Sequence, residues 1–257
     1  MHEALANVPN SSQVQIIEPG IAADVYYDKG RVKPGDYDVI VQPVEGRKKK
    51  LLVCDMESTI IENEFLDEIA ELGGFKEPVA KITEKAMNGE IGFREAIAER
   101  IKIIAGMPES EIRALLQTRL VYNPGAKELI AACKKAGVYT MLVSGGFTIF
   151  TDHVANELGF DAVHANRLTF DHGFLTGVTD PILGKEAKLE IMTEQAGKMG
   201  IGLADCAGIG DGANDLPMLK AAGLGIAYKA KPRVKEEIKN QINYSDLTAM
   251  AYAIGLK

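Results

Sequence analysis

The chain has 257 residues, 46% of them hydrophobic, which is enough to bury a sizeable core as one large domain or two unequal ones. Thirty-six acidic against twenty-nine basic residues leave a net charge of -7, which argues against a sequence-independent nucleic-acid binder built on a basic face. Residues 1–14 lack an apolar signal core and no later run approaches the length of a membrane span, so the reading is a cytoplasmic protein with no membrane partner.

Residues 1–48 are rich in turn-formers (Pro9, Pro19-Gly20, Lys29-Gly30, Pro34-Gly35) and carry a short strand-like run, Tyr37-Asp38-Val39-Ile40-Val41, as expected of a small N-terminal extension. The basic run Arg47-Lys48-Lys49-Lys50 reads as a solvated approach to the next strand. That strand, Leu51-Leu52-Val53-Cys54, is apolar throughout and ends in Asp55-Met56-Glu57-Ser58-Thr59. An aspartate at the end of a buried strand points its carboxylate into a cleft, which makes Asp55 a candidate nucleophile or metal ligand and Glu57 a candidate acid/base.

From about 62 to 122 the pattern turns helical. Phe65, Leu66, Ile69, Ala70 and Leu72 recur at spacings of three and four, followed by Ile97, Ile101, Ile103 and Ile104 beyond Gly92. Pro108 with Glu109 and Glu111 suits the start of another helix over about 111–120, because acids favour helix N-termini. Residues 63–122 therefore read as a small helical bundle inserted after the first strand.

Beyond 123, helices and short apolar strands alternate, implying a parallel sheet wrapped by crossover helices. Helices are expected over 126–135 and 188–197, and strands over 138–143 and 206–209. Residues 166–183, with Asp171-His172-Gly173 in the middle, read as a β-hairpin with a glycine turn. The fold class is α/β, a Rossmann-like three-layer core made of 49–62 and 123–257. Cys54, Cys133 and Cys206 lie in or beside apolar runs and read as reduced core thiols.

Three of these strands end in a polar residue followed by small ones, at Asp55, Ser144 and Asp211. In open α/β sheets the ligand lies beyond the carboxyl ends of the strands, so the three groups converge on one crevice. Two carboxylates from different strands suit a hard divalent cation such as Mg2+, and the four scattered histidines form no competing cluster. The matching chemistry is phosphoryl transfer. A carboxylate attacks a phosphate dianion only when metal, cation or amide donors neutralise the charge. Lys188 could supply the cation, and Ser144 with the Gly145 amide could bind phosphate oxygens. A rival reading takes Gly208-Ile209-Gly210-Asp211-Gly212-Ala213 as a dinucleotide-binding G-x-G-x-x-A turn. It would set the Asp211 charge against a pyrophosphate, and the next apolar run ends in no acid to hold a ribose.

These residues resemble the haloacid dehalogenase superfamily of phosphatases, and within it the phosphoserine phosphatases. Asp55-Met56-Glu57-Ser58-Thr59 resembles the D-x-D-x-T motif with one change. Val143-Ser144-Gly145-Gly146-Phe147 and Gly210-Asp211-Gly212-Ala213-Asn214-Asp215 resemble two further motifs, and Lys188 stands 23 residues before Asp211, as the phosphate-binding lysine does there. The resemblance covers about 50–257. It implies that Asp55 attacks phosphorus to give an aspartyl-phosphate, and that Glu57 protonates the leaving oxygen and then activates water. It further implies Mg2+ held by the Asp55 side chain, the Glu57 carbonyl and Asp211, with Asp215 supporting that shell and Asn214 positioning phosphate or water. It makes the inserted helical block, residues 63–122, the cap, and there implies Glu64 for the substrate ammonium, Arg100 for its carboxylate, and Met87 and Phe93 as apolar groups closing over the site.

The implied activity is hydrolysis of O-phosphoserine to serine, the last step of serine biosynthesis, by a monomer or homodimer. Glu57 stands where the motif has aspartate. The extra methylene moves the carboxyl by about 1 Å, a misplacement able to cost roughly a hundredfold in rate. Three outcomes are compatible with that change: a working phosphoserine phosphatase, a related phosphatase or phosphotransferase acting on another small ester or an alcohol acceptor, and an impaired phosphoamino-acid sensor.

Overall fold

A computed structural model describes residues 11–27, 35–87 and 90–256. Its centre is a six-stranded, all-parallel sheet in the order β10-β9-β8-β3-β4-β5, where β3 is Leu51–Cys54, β4 Tyr139–Phe147, β5 Ala162–Asn166, β8 Cys206–Gly210, β9 Leu224–Tyr228 and β10 Gln241–Ile242. All four residues of β3 are fully buried, the signature of a central strand covered on both faces. Even there the two-residue period sorts the side chains. Leu52 and Cys54 enter the core on one side of the sheet, and Leu51 and Val53 enter the core on the other.

Five helices cover the two faces: α5 (Ala126–Ala136), α6 (Thr148–Leu158) and α10 (Thr248–Ala253) on the first, and α7 (Ala187–Lys198) and α8 (Leu216–Ala221) on the second. A ninth helix in chain order, α9 (Pro232–Glu237), joins the second face through Val234. The result is the three-layer α/β core expected from the alternating pattern. The chain leaves β3 toward β4 and β5 on one side, and β8, β9 and β10 lie on the other. The switch in direction falls at the β3–β8 junction, where a crevice opens beyond the strand ends.

Between β3 and α5 the chain forms four helices: α1 (Phe65–Leu72), α2 (Lys76–Met87), α3 (Phe93–Ile104) and α4 (Glu109–Thr118). The last starts two residues earlier than expected, with Pro108 as its N-cap residue and Glu109 in its first turn. The segments entering and leaving this block run side by side. Glu62 N donates to Val121 O (2.8 Å), Asn123 N to Ile60 O (3.0 Å), and buried Asn123 donates its side-chain amide to the Thr59 and Ile61 carbonyls. Phe65 of α1 and Phe150 of α6 stack with ring centroids 3.9 Å apart, fixing the block to the core.

The hairpin appears as expected, β6 (Leu168–Asp171) and β7 (Phe174–Val178), with His172 (φ 48°) and Gly173 (φ 81°) as its two-residue turn. Both turn residues have positive φ, as the favoured hairpin turn requires. It reaches the helical block through the backbone: Gly106 N donates to Leu175 O (2.8 Å), Leu175 N to Met107 O (2.9 Å) and Glu109 N to Gly173 O (2.9 Å).

Two expectations for the N-terminal region are corrected. Residues 37–41 form no strand. Asp38 accepts the Asn243, Tyr244 and Ser245 amides, and Val41 exchanges bonds with the Asn240 side chain, so side chains and not a ladder tie this segment down beyond β10. The described part of the extension instead pairs β1 (Ser11–Glu18) with β2 (Ala22–Tyr27), antiparallel. The basic run is solvated only at Lys48 and Lys50, not at Arg47 and Lys49. Arg47 ion-pairs with Asp24 and donates to Tyr252 O (2.6 Å) and Ala253 O (3.3 Å), capping the carbonyl end of α10. Lys49 is buried and donates to Gly46 O and Ala204 O, both at 2.8 Å. All three cysteines are free and buried, and no described helix is long and apolar enough to cross a membrane.

Candidate active site

Register places the polar strand ends together. Cys54 pairs with both Leu142 and Ile209, so Asp55 is level with Val143 and Gly210, and Ser144 and Asp211 follow one residue further on. Asp55 N extends the ladder by donating to Ile209 O (3.0 Å). Around Asp55 the side-chain carboxylates of Asp55, Asp211 and Asp215 offer oxygens all within 4.8 Å of one another, and all three residues are buried. Gly210 makes this crowding possible, since a Cβ there would lie 2.3 Å from the Asp215 carboxyl carbon.

One buried cation faces the trio. Lys188, in the first turn of α7, sits 2.6 Å from Asp55 Oδ1 and contacts Asp215 Oδ1 directly. Burial alone would depress its pKa, but Asp215 and Asp55 outweigh burial and hold the ammonium charged. Burial pushes the Asp55 carboxyl well above its usual range, with Asp215 adding to the shift and Lys188 opposing it. Asp211 moves the same way, chiefly through burial, with Lys231 opposing. Three carboxylates against one buried ammonium leave a surplus of negative charge in an oxygen-only donor set. That is the environment a hard divalent cation neutralises, so these residues fit one.

The turn after β3 brings two more carboxylates to the crevice. Glu57 is extended (φ -68°, ψ 139°) and Ser58 is left-handed (φ 54°), a conformation uncommon for a residue with a Cβ. Ser58 Oγ donates to Glu64 Oε1 (2.8 Å), and buried Thr59 faces Asp211 Oδ1 at 3.4 Å. Glu57 uses its extra methylene to reach the helical block, where Oε1 accepts the Phe65 amide at 2.8 Å. Glu64, the N-cap residue of α1, makes no capping bond with its own side chain, so Glu57 satisfies a first-turn amide from eight residues upstream. Glu57 is half-buried and lines the cleft. Burial, then the nearby Glu64 charge, push its pKa up to about 8, against the Phe65 amide and Arg100. That shift favours the acid form near neutral pH.

The cleft has a volume of about 170 Å³ and is lined by Asp55, Glu57, Glu64, Asp67, Arg100, Ser144, Gly145, Asp211, Asn214 and Lys231, with Leu66, Phe93, Ile97 and Phe147 as its apolar wall. Ser144 is buried and its Oγ accepts the Gly146 amide (2.9 Å). The Phe93 ring lies over Gly145, only 3.2 Å from where a Cβ would stand. Arg100 on α3 donates Nε to Ala96 O (3.2 Å), and burial lowers its pKa against the opposing charges of Asp67, Glu57 and Glu64. Lys188 and Asp215 stand behind Asp55 at the cleft floor. Of the sequence-derived residues, Asp55, Glu57, Glu64, Phe93, Arg100, Ser144, Gly145, Asp211 and Asn214 line this cleft, Lys188 and Asp215 do not, and the side chain of Met87 lies outside the described residues.

Three contributors were not foreseen. Lys231, just beyond β9, places Nζ 3.4 Å from Asp211 Oδ2 and 3.8 Å from Glu64 Oε1. Burial lowers its pKa less than Asp211 and Glu64 raise it. Asp67 adds an acid beside Arg100. Buried Asn166, at the end of β5, donates Nδ2 to Gly145 O (2.7 Å) and accepts the Leu183 amide (2.7 Å), bracing the Ser144-Gly145 turn. The strand-end rule that found Ser144 applies equally to Asn166, whereas Lys231 lies in Lys229-Ala230-Lys231-Pro232, which carries no comparable signal.

Residues 52–220 match the haloacid dehalogenase-like hydrolase family. A phosphoserine phosphatase of Polaromonas is 45% identical over 204 residues, covering 77% of this chain and 86% of the relative. One of Archaeoglobus fulgidus is 40% identical over 222 residues, and the match covers 85% of this chain but 64% of that longer protein. Among solved structures, a substrate-bound phosphoserine phosphatase complex superposes with a TM-score of 0.74 at 38% identity, covering 80% of this chain and 98% of that one.

The Glu57–Phe65 bond makes a specific prediction. Glu57→Asp is too short to reach the Phe65 amide, and hydrogen exchange of that amide should accelerate about tenfold, the worth of one such bond. Glu57→Gln, which keeps the acceptor and the reach, should leave it protected. Equal exchange in both variants would mean that the bond does not hold α1.

Proposed function

The chain belongs to the haloacid dehalogenase-like hydrolases, and from that premise we propose that it hydrolyses O-phospho-L-serine to serine and phosphate through an aspartyl-phosphate. The observation that carries the reading is the ion pair of Asp55 with Lys188 at a cleft that Glu57, Glu64 and Arg100 also line. The relatives named as phosphoserine phosphatases, at 40–45% identity, support the substrate.

The cap in this proposal is the helical block, residues 63–122, and the catalytic core is 49–62 with 123–257. Substrate enters with its phosphate toward Ser144, the Gly145 amide, Lys188 and Asn214. Arg100 pairs with its carboxylate and Glu64 with its ammonium, and Phe93 covers the bound ester. An Asp55 carboxylate oxygen attacks phosphorus while the bond from phosphorus to the seryl oxygen breaks, and Glu57 delivers its proton to that oxygen. Glu57, now a carboxylate, takes a proton from water. The water oxygen bonds to phosphorus, the bond to Asp55 breaks, and free Asp55 and inorganic phosphate result. Asp55, Asp211 and the Glu57 carbonyl would hold Mg2+, with Asp215 in support; when bound, the ion neutralises the charge that otherwise repels a phosphate dianion.

The reach of Glu57 bears on the alternatives of a phosphotransferase or an impaired sensor. Its carboxyl is anchored by the Phe65 amide and shifted toward the acid form, which suits a general acid and favours turnover.

Phosphate release from L-phosphoserine with Mg2+ tests this reading. Wild type should turn over, and Asp55→Asn should bind substrate with no measurable turnover; appreciable activity in that variant would remove Asp55 as the nucleophile. The pH profile follows from Glu57. The free enzyme needs the carboxyl protonated, so kcat/KM should hold near neutrality and decline as pH rises through about 8. A rise across that range would contradict the general-acid role.

A further inference from the structure

Among the described residues, Arg100 and Lys231 line the cleft and Lys188 lies behind Asp55, and the three cations are held differently. Lys188 is locked: its side chain is 5% exposed and bonded to two carboxylates. Arg100 lies among Glu57, Asp67 and Glu64 on the helical side. Lys231 stands on the core side, next to Asp211, with a rigid root and an exposed tip. Its amide donates to Asp211 O (3.0 Å), its carbonyl accepts the Val234 amide (2.9 Å), and Pro232 follows it at the start of α9. Its side chain is 63% exposed, and the ammonium is 3.4 Å and 3.8 Å from Asp211 and Glu64, neither at close-contact distance. An ammonium has three donors, and this one keeps capacity for an arriving anion.

The cleft requires such a group. Its walls carry Asp55, Glu64, Asp67 and Asp211, and the whole chain is net negative, so a phosphate monoester dianion meets an opposing field on approach. We propose that Lys231 is a rim cation that captures the phosphate group of any incoming monoester, setting KM without regard to the amino-acid end of the substrate. This rests on the phosphomonoester reading of the same cleft and adds to it a residue that acts on the phosphate from outside. A rim charge of this kind alters association and salt dependence more than the chemical step. Arg100, by contrast, serves only substrates with a carboxylate.

The test compares wild type, Lys231→Gln and Lys231→Arg at saturating Mg2+, using L-phosphoserine, an aryl phosphate monoester whose aryl group is uncharged, and inorganic phosphate as inhibitor. Lys231→Gln should raise KM about fivefold for both esters, the effect of one unit charge at contact distance in water. Phosphate inhibition should weaken by a similar factor, kcat should be retained, and the rise of KM with ionic strength should flatten. Lys231→Arg should restore all of these. A KM change confined to phosphoserine, in either direction, would make Lys231 an amino-acid-end residue and overturn the proposal. A fall in kcat with KM unchanged would overturn it in favour of support for Asp211, as would unaltered phosphate inhibition. If wild type cleaves the aryl ester but not phosphoserine, the substrate assignment fails, and Lys231 is still judged on the aryl ester and on phosphate.

Discussion

The structure depends on an imbalance of charge: three buried carboxylates, Asp55, Asp211 and Asp215, meet one buried ammonium, Lys188. Isolated carboxylates do not survive such burial, because the desolvation cost exceeds what a single cation returns. The fold brings them there regardless. β3 and β8 are central strands whose register leaves Asp55 and Asp211 one residue apart, and Gly210 leaves room for Asp215 between them. The result is a pocket whose surplus of buried oxygen donors fits a divalent cation.

The second constraint links chemistry to closure. Glu57 is bonded to the first turn of α1, and Phe65 of that same turn stacks on Phe150 of the core. The hairpin of β6 and β7 joins the other end of the helical block through three backbone bonds. The group read as the proton donor is therefore held by the element that covers the site. The longer side chain at this position is accommodated, because its carboxyl has a helix amide to meet.

Much of this was legible in the sequence because it is local. The run Leu51-Leu52-Val53-Cys54 followed by Asp55, and the matching endings at Ser144 and Asp211, mark the sheet and the crevice together. Lys188 was found only through its spacing from Asp211, since nothing about an isolated helix lysine announces burial. What escaped depends on distant partners. The segment 37–41 alternates like a strand, but Asp38 and Asn240 side chains take the bonds a ladder would have used. Arg47 looks solvated until α10, some two hundred residues later, presents its last carbonyls. Lys231 belongs to the same class, since its meaning comes from Asp211 and Glu64 and not from its neighbours in the chain.

The central claim, that the carboxylate trio is held in deficit until a divalent cation arrives, is tested most directly by thermal melting with and without Mg2+. Wild type should gain stability as Mg2+ is raised, by about 2.7 kcal/mol at a hundredfold excess over Kd. Asp211→Asn should gain little, and without Mg2+ it should melt no lower than wild type, because one of the crowded charges is gone. Wild type indifferent to Mg2+, or an Asp211→Asn variant stabilised by it equally, would contradict the account.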